Sequence, residues 1–247
     1  MDTMELKNRR SERGFTLVEL AIVMIIIGLL IGGILKGQEL IANAEVGATV
    51  SQIKALDAAT STFRDKYDAL PGDILAPNNR IANCTTIGAA CTTAGNGNGT
   101  LNSLPGAAPG GEAVTYFVHL SAADLLTNID PTGGATAWGT LYPEAKVSGG
   151  FHVGSSTGAA ADFGGTVVSA VGANAGLYLT MTQNPGAAIA PSMTPNQAAR
   201  IDTKLDDGVP GTGSTRGFGG GACGAAATGY VESTAGIACG LFTRIQG

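Results

Sequence analysis

Two hydrophobic patterns follow one another at the start of the chain. Phe15 to Leu35 is a continuous apolar run of 21 residues with one charge, Glu19. From Val46 to Tyr67 the apolar positions recur at three- or four-residue steps, through Val50, Ile53, Leu56 and Phe63, with Thr60 as a polar lapse. Gln52, Lys54, Asp57, Ser61, Arg64 and Asp65 occupy other positions. A run that is apolar all round belongs in lipid or a protein core, whereas a stripe at helical period belongs on one face of an amphipathic helix. No proline interrupts residues 36–66. The two patterns together predict one helix of about 52 residues, roughly 78 Å long. Its apolar part spans roughly 31 Å, which matches a bilayer core of about 30 Å. The alternative is two helices broken between Gly32 and Gly37.

Beyond this helix the pattern changes. Pro71-Gly72 predicts a turn, and Asp73 reads as part of its turn chemistry. Residues 76–111 are rich in Asn, Thr, Gly and Ala, and Gly95-Asn96-Gly97-Asn98-Gly99 reads as a flexible loop. That loop lacks the Lys-Ser/Thr and the clear preceding strand that a phosphate cradle needs. Val114, Phe117, Val118, Leu120, Leu125 and Leu126 give residues 112–126 a helical period. His119 lies within it, where packing or a surface hydrogen bond is favoured over metal binding. Phe151-His152-Val153, Thr166-Val167-Val168 and Gly176 to Thr180 are short β-prone runs bounded by Gly and Ser. Pro185 to Pro195 reads as a loop, and Gln197 to Leu205 as a short helix ended by Asp206-Asp207-Gly208. The expected fold class is α+β: a long amino-terminal helix packed on an antiparallel β-sheet head, ladle-like. Residues 15–35 form its membrane or fibre-core part, residues 36–66 the amphipathic continuation, and residues 67–247 a loop-rich globular head.

Composition narrows the function classes. Charged residues make up 13% of the chain, against about 25% in a typical soluble domain. A hydrophobic content of 44% argues against disorder. The net charge of −5 disfavours nucleic acid as a partner bound by broad phosphate neutralisation. A Ser-His-Asp site would have to use His119 or His152, and neither sits in a recognisable nucleophile context. Two histidines and no Cys-x-x-Cys are poor material for zinc. The chain reads as a non-enzyme.

Glu19 needs a specific explanation. An ionised, unpaired carboxylate within a spanning helix costs on the order of several kcal/mol. No Lys, Arg or His lies within the span, so a partner must come from outside this helix, unless the side chain reaches the headgroup region. Lys7, Arg9, Arg10 and Arg13 precede the run and favour a cytoplasmic amino terminus. A secretory signal peptide cut at Ala42-Asn43-Ala44 is the competitor. Its apolar stretch would exceed the usual length of about 7–15 residues, Lys36 and Glu39 would intervene before the cut, and Glu19 would serve no purpose in it.

Arg13-Gly14-Phe15-Thr16-Leu17-Val18-Glu19-Leu20 resembles the processing site of type IV pilins and type II secretion pseudopilins. The resemblance implies that residues 1–14 are a leader, that a prepilin peptidase/methyltransferase cuts after Gly14, and that the new amine on Phe15 is N-methylated. It assigns Glu19 to the positive amine of a neighbouring subunit during fibre assembly. Two opposite charges meeting in low dielectric relieve each other's desolvation, and a slipped neighbour would leave both unpaired. Many family members carry a proline at the position of Lys36; this chain instead has Gly28, Gly32, Gly33 and Gly37. Those glycines suit either helix bending or close helix packing.

Four cysteines allow three connectivities. Local pairing, Cys84–Cys91 and Cys223–Cys239, is the simplest, and the second loop resembles the carboxy-terminal disulfide-bounded region of many pilins. Asp202, Asp206 and Asp207 could present oxygens to calcium, which some pseudopilins hold near the carboxy terminus, although an Asp-Asp-Gly turn explains the same residues. No cofactor is required. The expected function is a structural subunit of a type IV pilus-like filament. The alternatives are a pseudopilin of a type II secretion system and a minor filament-borne adhesin or binding module. Expected partners are the processing enzyme, other pilin or pseudopilin subunits, an inner-membrane assembly platform, and membrane lipid before assembly. The expected location is a single-pass inner-membrane protein that becomes an extracellular or periplasmic filament.

Overall fold

The computed structural model describes residues 14–164, 173–226 and 228–245. Helix α1 runs without a break from Leu17 to Tyr67, 51 residues, so the glycines between Gly32 and Gly37 do not divide it. The chain separates into two compact units at Asn43–Ala44. In the described part of the first unit the large apolar side chains, Ile22, Ile26 and Leu30 among them, are exposed. In the second unit the stripe predicted from Val46 to Tyr67 is buried. Thr60 is buried with it: its hydroxyl donates to the carbonyl of Leu56 and accepts from the Tyr116 hydroxyl. The polar lapse is therefore a satisfied core hydrogen bond. Asp68, at positive φ, ends α1.

Three short helices, α2 (Pro77–Arg80), α3 (Cys84–Ile87) and α4 (Ala89–Thr92), occupy the Asn/Thr/Ala-rich segment, and α5 spans Glu112–Ala122. Strand β1 covers Gly150–Ser156 and β2 Gly176–Thr182. Helix α6 (Pro195–Leu205) follows, opened by a capping box between Thr194 and Gln197. Strand β3 (Thr215–Phe218), the small pair β4 (Gly224–Ala225) and β5 (Gly229–Tyr230), and β6 (Gly240–Ile245) complete the chain. The main sheet has four antiparallel strands in the order β1-β2-β6-β3. The α+β class thus holds, with a long helix and an antiparallel sheet. The run Thr166-Val167-Val168 lies outside the described residues.

Alternation along the strands divides the sheet into two faces. Phe151 and Val153, Leu177, Leu179 and Met181, and Leu241 and Ile245 join one core with Val46–Tyr67 of α1 and Tyr116, Phe117 and Leu120 of α5. Tyr178, Phe218 and Phe242 form a second cluster with Phe163. Both faces are covered, so the central strands carry apolar residues on each side. The loop through Ser103 runs along the edge of β1, where the Ser155 amide donates to its carbonyl, and Thr180 reaches the Pro105 carbonyl from β2.

Candidate functional site

The helix start places the processing residues of the sequence motif within one short stretch. Gly14 and Phe15 precede the first helical turn and are exposed, Phe15 at 84%. Thr16 is the residue before α1, and it forms a capping box with Glu19. The Glu19 amide donates to Thr16 Oγ1 at 3.2 Å, while Glu19 Oε2 accepts from the Thr16 amide at 2.8 Å and its hydroxyl at 2.8 Å. Within the single subunit, Glu19 therefore already has local donors. Thr-x-x-Glu is the spacing that signals this cap, and Thr16 is the residue that sequence reasoning passed over. Gly28, Gly32, Gly33 and Gly37 each have open space where a Cβ would be.

The carboxylates Asp202, Asp206 and Asp207 come together: one oxygen from each lies within 4.8 Å of the others. Asp202 leaves α6 pointing inward and is fully buried. Its Oδ2 accepts from the Tyr230 hydroxyl at 2.8 Å, and its Oδ1 is buried with no hydrogen-bond partner among the described residues. Burial, reinforced by the neighbouring Asp207 and Asp206, pushes its pKa up to about 7 against the opposing Tyr230 hydrogen bond. Asp206 accepts from the amides of Ser214 and Thr215, and Asp207 from the Val209 amide at 2.9 Å. Three hard oxygen donors, one of them an orphaned buried carboxylate oxygen, fit a hard cation. Tyr230 was not foreseen, because it arrives from a strand 28 residues further along.

The cysteines pair locally, Cys84 with Cys91 and Cys223 with Cys239. With both sulfurs of the first pair oxidised, the grouping of Cys84, Cys91 and His119 offers no thiolate to a metal. His119 is buried; its Nδ1 accepts from the Gly72 amide and its Nε2 faces the Cys91 carbonyl, each at 2.9 Å. That arrangement fixes the neutral ring with its proton on Nε2. Gly72 is required here: its φ is +88° and a Cβ would lie 2.3 Å from the Glu112 carbonyl oxygen.

The Gly/Asn loop is more organised than its composition suggests. The Asp73 carboxylate accepts from the amides of Gly97 and Gly99, and the Glu112 carboxylate from those of Asn96 and Asn102. Two acidic side chains of the chain itself thus occupy the loop amides, in line with the missing phosphate-cradle signature. Gly154-Ser155-Ser156-Thr157-Gly158 also has Gly-x-Ser-x-Gly spacing, which sequence reasoning overlooked. Ser156 lies at the end of β1 and its hydroxyl donates to Asp162 Oδ2 at 3.0 Å, so among the described residues it has no histidine base.

Residues 9–35 match the family model described as a prokaryotic N-terminal methylation motif. This is the signature of type IV pilins and pseudopilins. It implies prepilin peptidase processing and assembly with other subunits, and with the long apolar helix it fits membrane anchoring before assembly. No curated protein and no solved structure matches the chain.

Proposed function

We propose that this chain is a structural subunit of a type IV pilus-like filament. The observation that carries the proposal is the methylation motif over residues 9–35, which opens a 51-residue helix with an apolar first part. In this reading prepilin peptidase cuts the exposed Gly14–Phe15 bond and N-methylation follows on Phe15. Glu19 then leaves its local cap for the positive amine of a neighbouring subunit, and the assembly platform of the inner membrane feeds subunits into the fibre. Before assembly the chain crosses that membrane once, amino terminus in the cytoplasm. The filament ends up in the periplasm or outside the cell.

The test separates charge pairing from capping. Glu19→Gln keeps an acceptor suited to the capping box but removes the charge; Glu19→Ala removes both. Both variants should accumulate as membrane proteins and enter sheared filaments at a small fraction of the wild-type level. Normal incorporation of Glu19→Gln contradicts the charge-pair role.

A pseudopilin of a type II secretion system is the close variant, and the carboxylate cluster at Asp202, Asp206 and Asp207 is the feature that favours it. We assign calcium to these residues, where it would neutralise three acids and tie α6 to the following turn. Calcium at about 100 times its dissociation constant adds about 2.7 kcal/mol to folding stability. A melting midpoint several degrees higher in calcium than in chelator is therefore expected, and Asp202→Asn should abolish the difference. Identical midpoints at millimolar calcium contradict the assignment.

A further inference from the structure

Two places in the chain carry the sequence Asn-x-Thr: Asn83-Cys84-Thr85 and Asn98-Gly99-Thr100. That spacing marks an asparagine whose side-chain nitrogen can be joined to a sugar, provided the segment lies on an accessible loop. The structure treats the two differently. Asn98, Gly99 and Thr100 are all exposed, and none of them belongs to a helix or strand. Asn83 directly precedes α3, and Cys84, which follows it, is buried and bonded to Cys91. The Asn83 Nδ2 donates to Asp124 Oδ2 at 3.1 Å, so the nitrogen that would react there is held by a carboxylate.

The loop folds Asn98 into a turn that presents it. Its Oδ1 accepts from the Thr100 amide and from the Thr100 hydroxyl, each at 2.9 Å. This is an Asx turn, and it sets the threonine hydroxyl beside the asparagine amide, so that one approaching enzyme meets both side chains. The two donors use only the carbonyl oxygen of that amide, and the nitrogen stays outside the turn. Donors on the oxygen also draw electron density from the nitrogen and make its protons easier to remove. Gly99 bridges the pair at φ +80°, with open space where a Cβ would be. Asn96 makes a comparable turn, its Oδ1 accepting from the Asn98 amide at 3.0 Å. There the residue two positions on is Asn98, which brings no hydroxyl.

Asp73 anchors this loop: its Oδ1 accepts from the Gly97 amide and its Oδ2 from the Gly99 amide, each at 2.6 Å. The second bond has a chemical consequence. An Asn-Gly step loses ammonia when the glycine nitrogen attacks the side-chain carbonyl carbon. Here that nitrogen is held by Asp73, which keeps the side-chain amide of Asn98 intact. We propose that Asn98 is an acceptor for N-linked glycosylation, with a glycosyl diphosphate as the donor. In the transfer a bond forms between Asn98 Nδ2 and the anomeric carbon of the sugar. The bond from that carbon to the diphosphate oxygen breaks, and the diphosphate leaves with the bonding electrons. One Nδ2 proton passes to a base of the transferring enzyme. The attached sugar places a bulky, hydrated group over residues 95–100 of the head.

The test uses the full-length protein purified from the cells that naturally make it. Peptide mass spectrometry, with fragmentation that keeps the sugar attached, reads the occupancy of Asn98 and of Asn83. The expected result is a sugar on Asn98 and none on Asn83. Thr100→Val, expressed in the same cells, should lower occupancy at least about tenfold, the rate equivalent of one hydrogen bond to the reacting amide. Thr100→Ser keeps a hydroxyl and should retain the sugar, and Asn83→Gln should leave occupancy unchanged. Thermal midpoints equal to that of the native protein verify that the variants are folded. A bare Asn98 in the native protein overturns the proposal. So does Asn98 recovered as Asp without a sugar, a sugar on Asn83 instead, or unchanged occupancy in folded Thr100→Val. None of these results bears on filament entry, which the Glu19 variants test separately.

Discussion

Among the described residues His119 and His152 are buried without a negative partner, and burial lowers each pKa to about 4. For His119 the Cys91 carbonyl opposes that shift only partly. The His152 Nε2 accepts from the Gly186 amide at 3.2 Å, and its Nδ1 has no partner among the described residues. Both folded values lie below the unfolded value of about 6.5, so added protons favour the unfolded chain. The associated stability is fully present above about pH 6.5 and is lost as the pH falls through about 4, on the order of 3 kcal/mol for each ring. Asp202, raised to about 7, gains stability over the same fall in pH, so the histidine contribution is read in an Asp202→Asn background: there urea midpoints should drop between about pH 7.5 and about pH 5, and His119→Gln should reduce that drop. A pH-independent midpoint contradicts the neutral assignment. The packing role of His119 was legible, because a lone histidine within an apolar helical pattern belongs with its neighbours. Asp73 was legible only as a turn residue. Its acceptor role joins residues 24 and 26 positions away, and no local spacing encodes such a bond.

At the scale of elements, α1 could be read almost whole because its signal is periodic and long. The expected limits of 15 and 66 fall close to the observed Leu17 and Tyr67. Strands β1 and β2 were also visible as β-prone runs. Strand β6 was not singled out. Leu241 and Phe242 face opposite cores, so the polar alternation that marks a half-exposed strand is missing. Strand β3 sits among glycines for a similar reason, with all four residues buried. The Cys223–Cys239 bridge closes the stretch between them and brings β6 beside β3. A loop of 16 residues carries about 3 kcal/mol by the chain-entropy estimate. Replacing Cys223 and Cys239 together by Ser should lower unfolding stability by about that amount. The shorter Cys84–Cys91 loop should cost about 2 kcal/mol on the same basis. An equal or larger loss from the shorter loop contradicts the entropic ranking.

The whole molecule has two unlike parts. Residues 14–43 expose an apolar surface with one acid, Glu19, near its start, and residues from Ala44 bury a two-faced sheet with α5 and the second half of α1. The first part carries the family signature, which ends at Leu35. The second part has to be understood from its own chemistry: the acidic cluster and the amide-wrapped carboxylates. The filament reading rests on a free amine appearing next to Glu19 of another copy. Mass spectrometry of the amino-terminal peptide from assembled filaments tests this most directly. The account predicts a peptide that begins at N-methylated Phe15. A peptide that retains Gly14 and the preceding residues, or one that begins at Glu45, contradicts it.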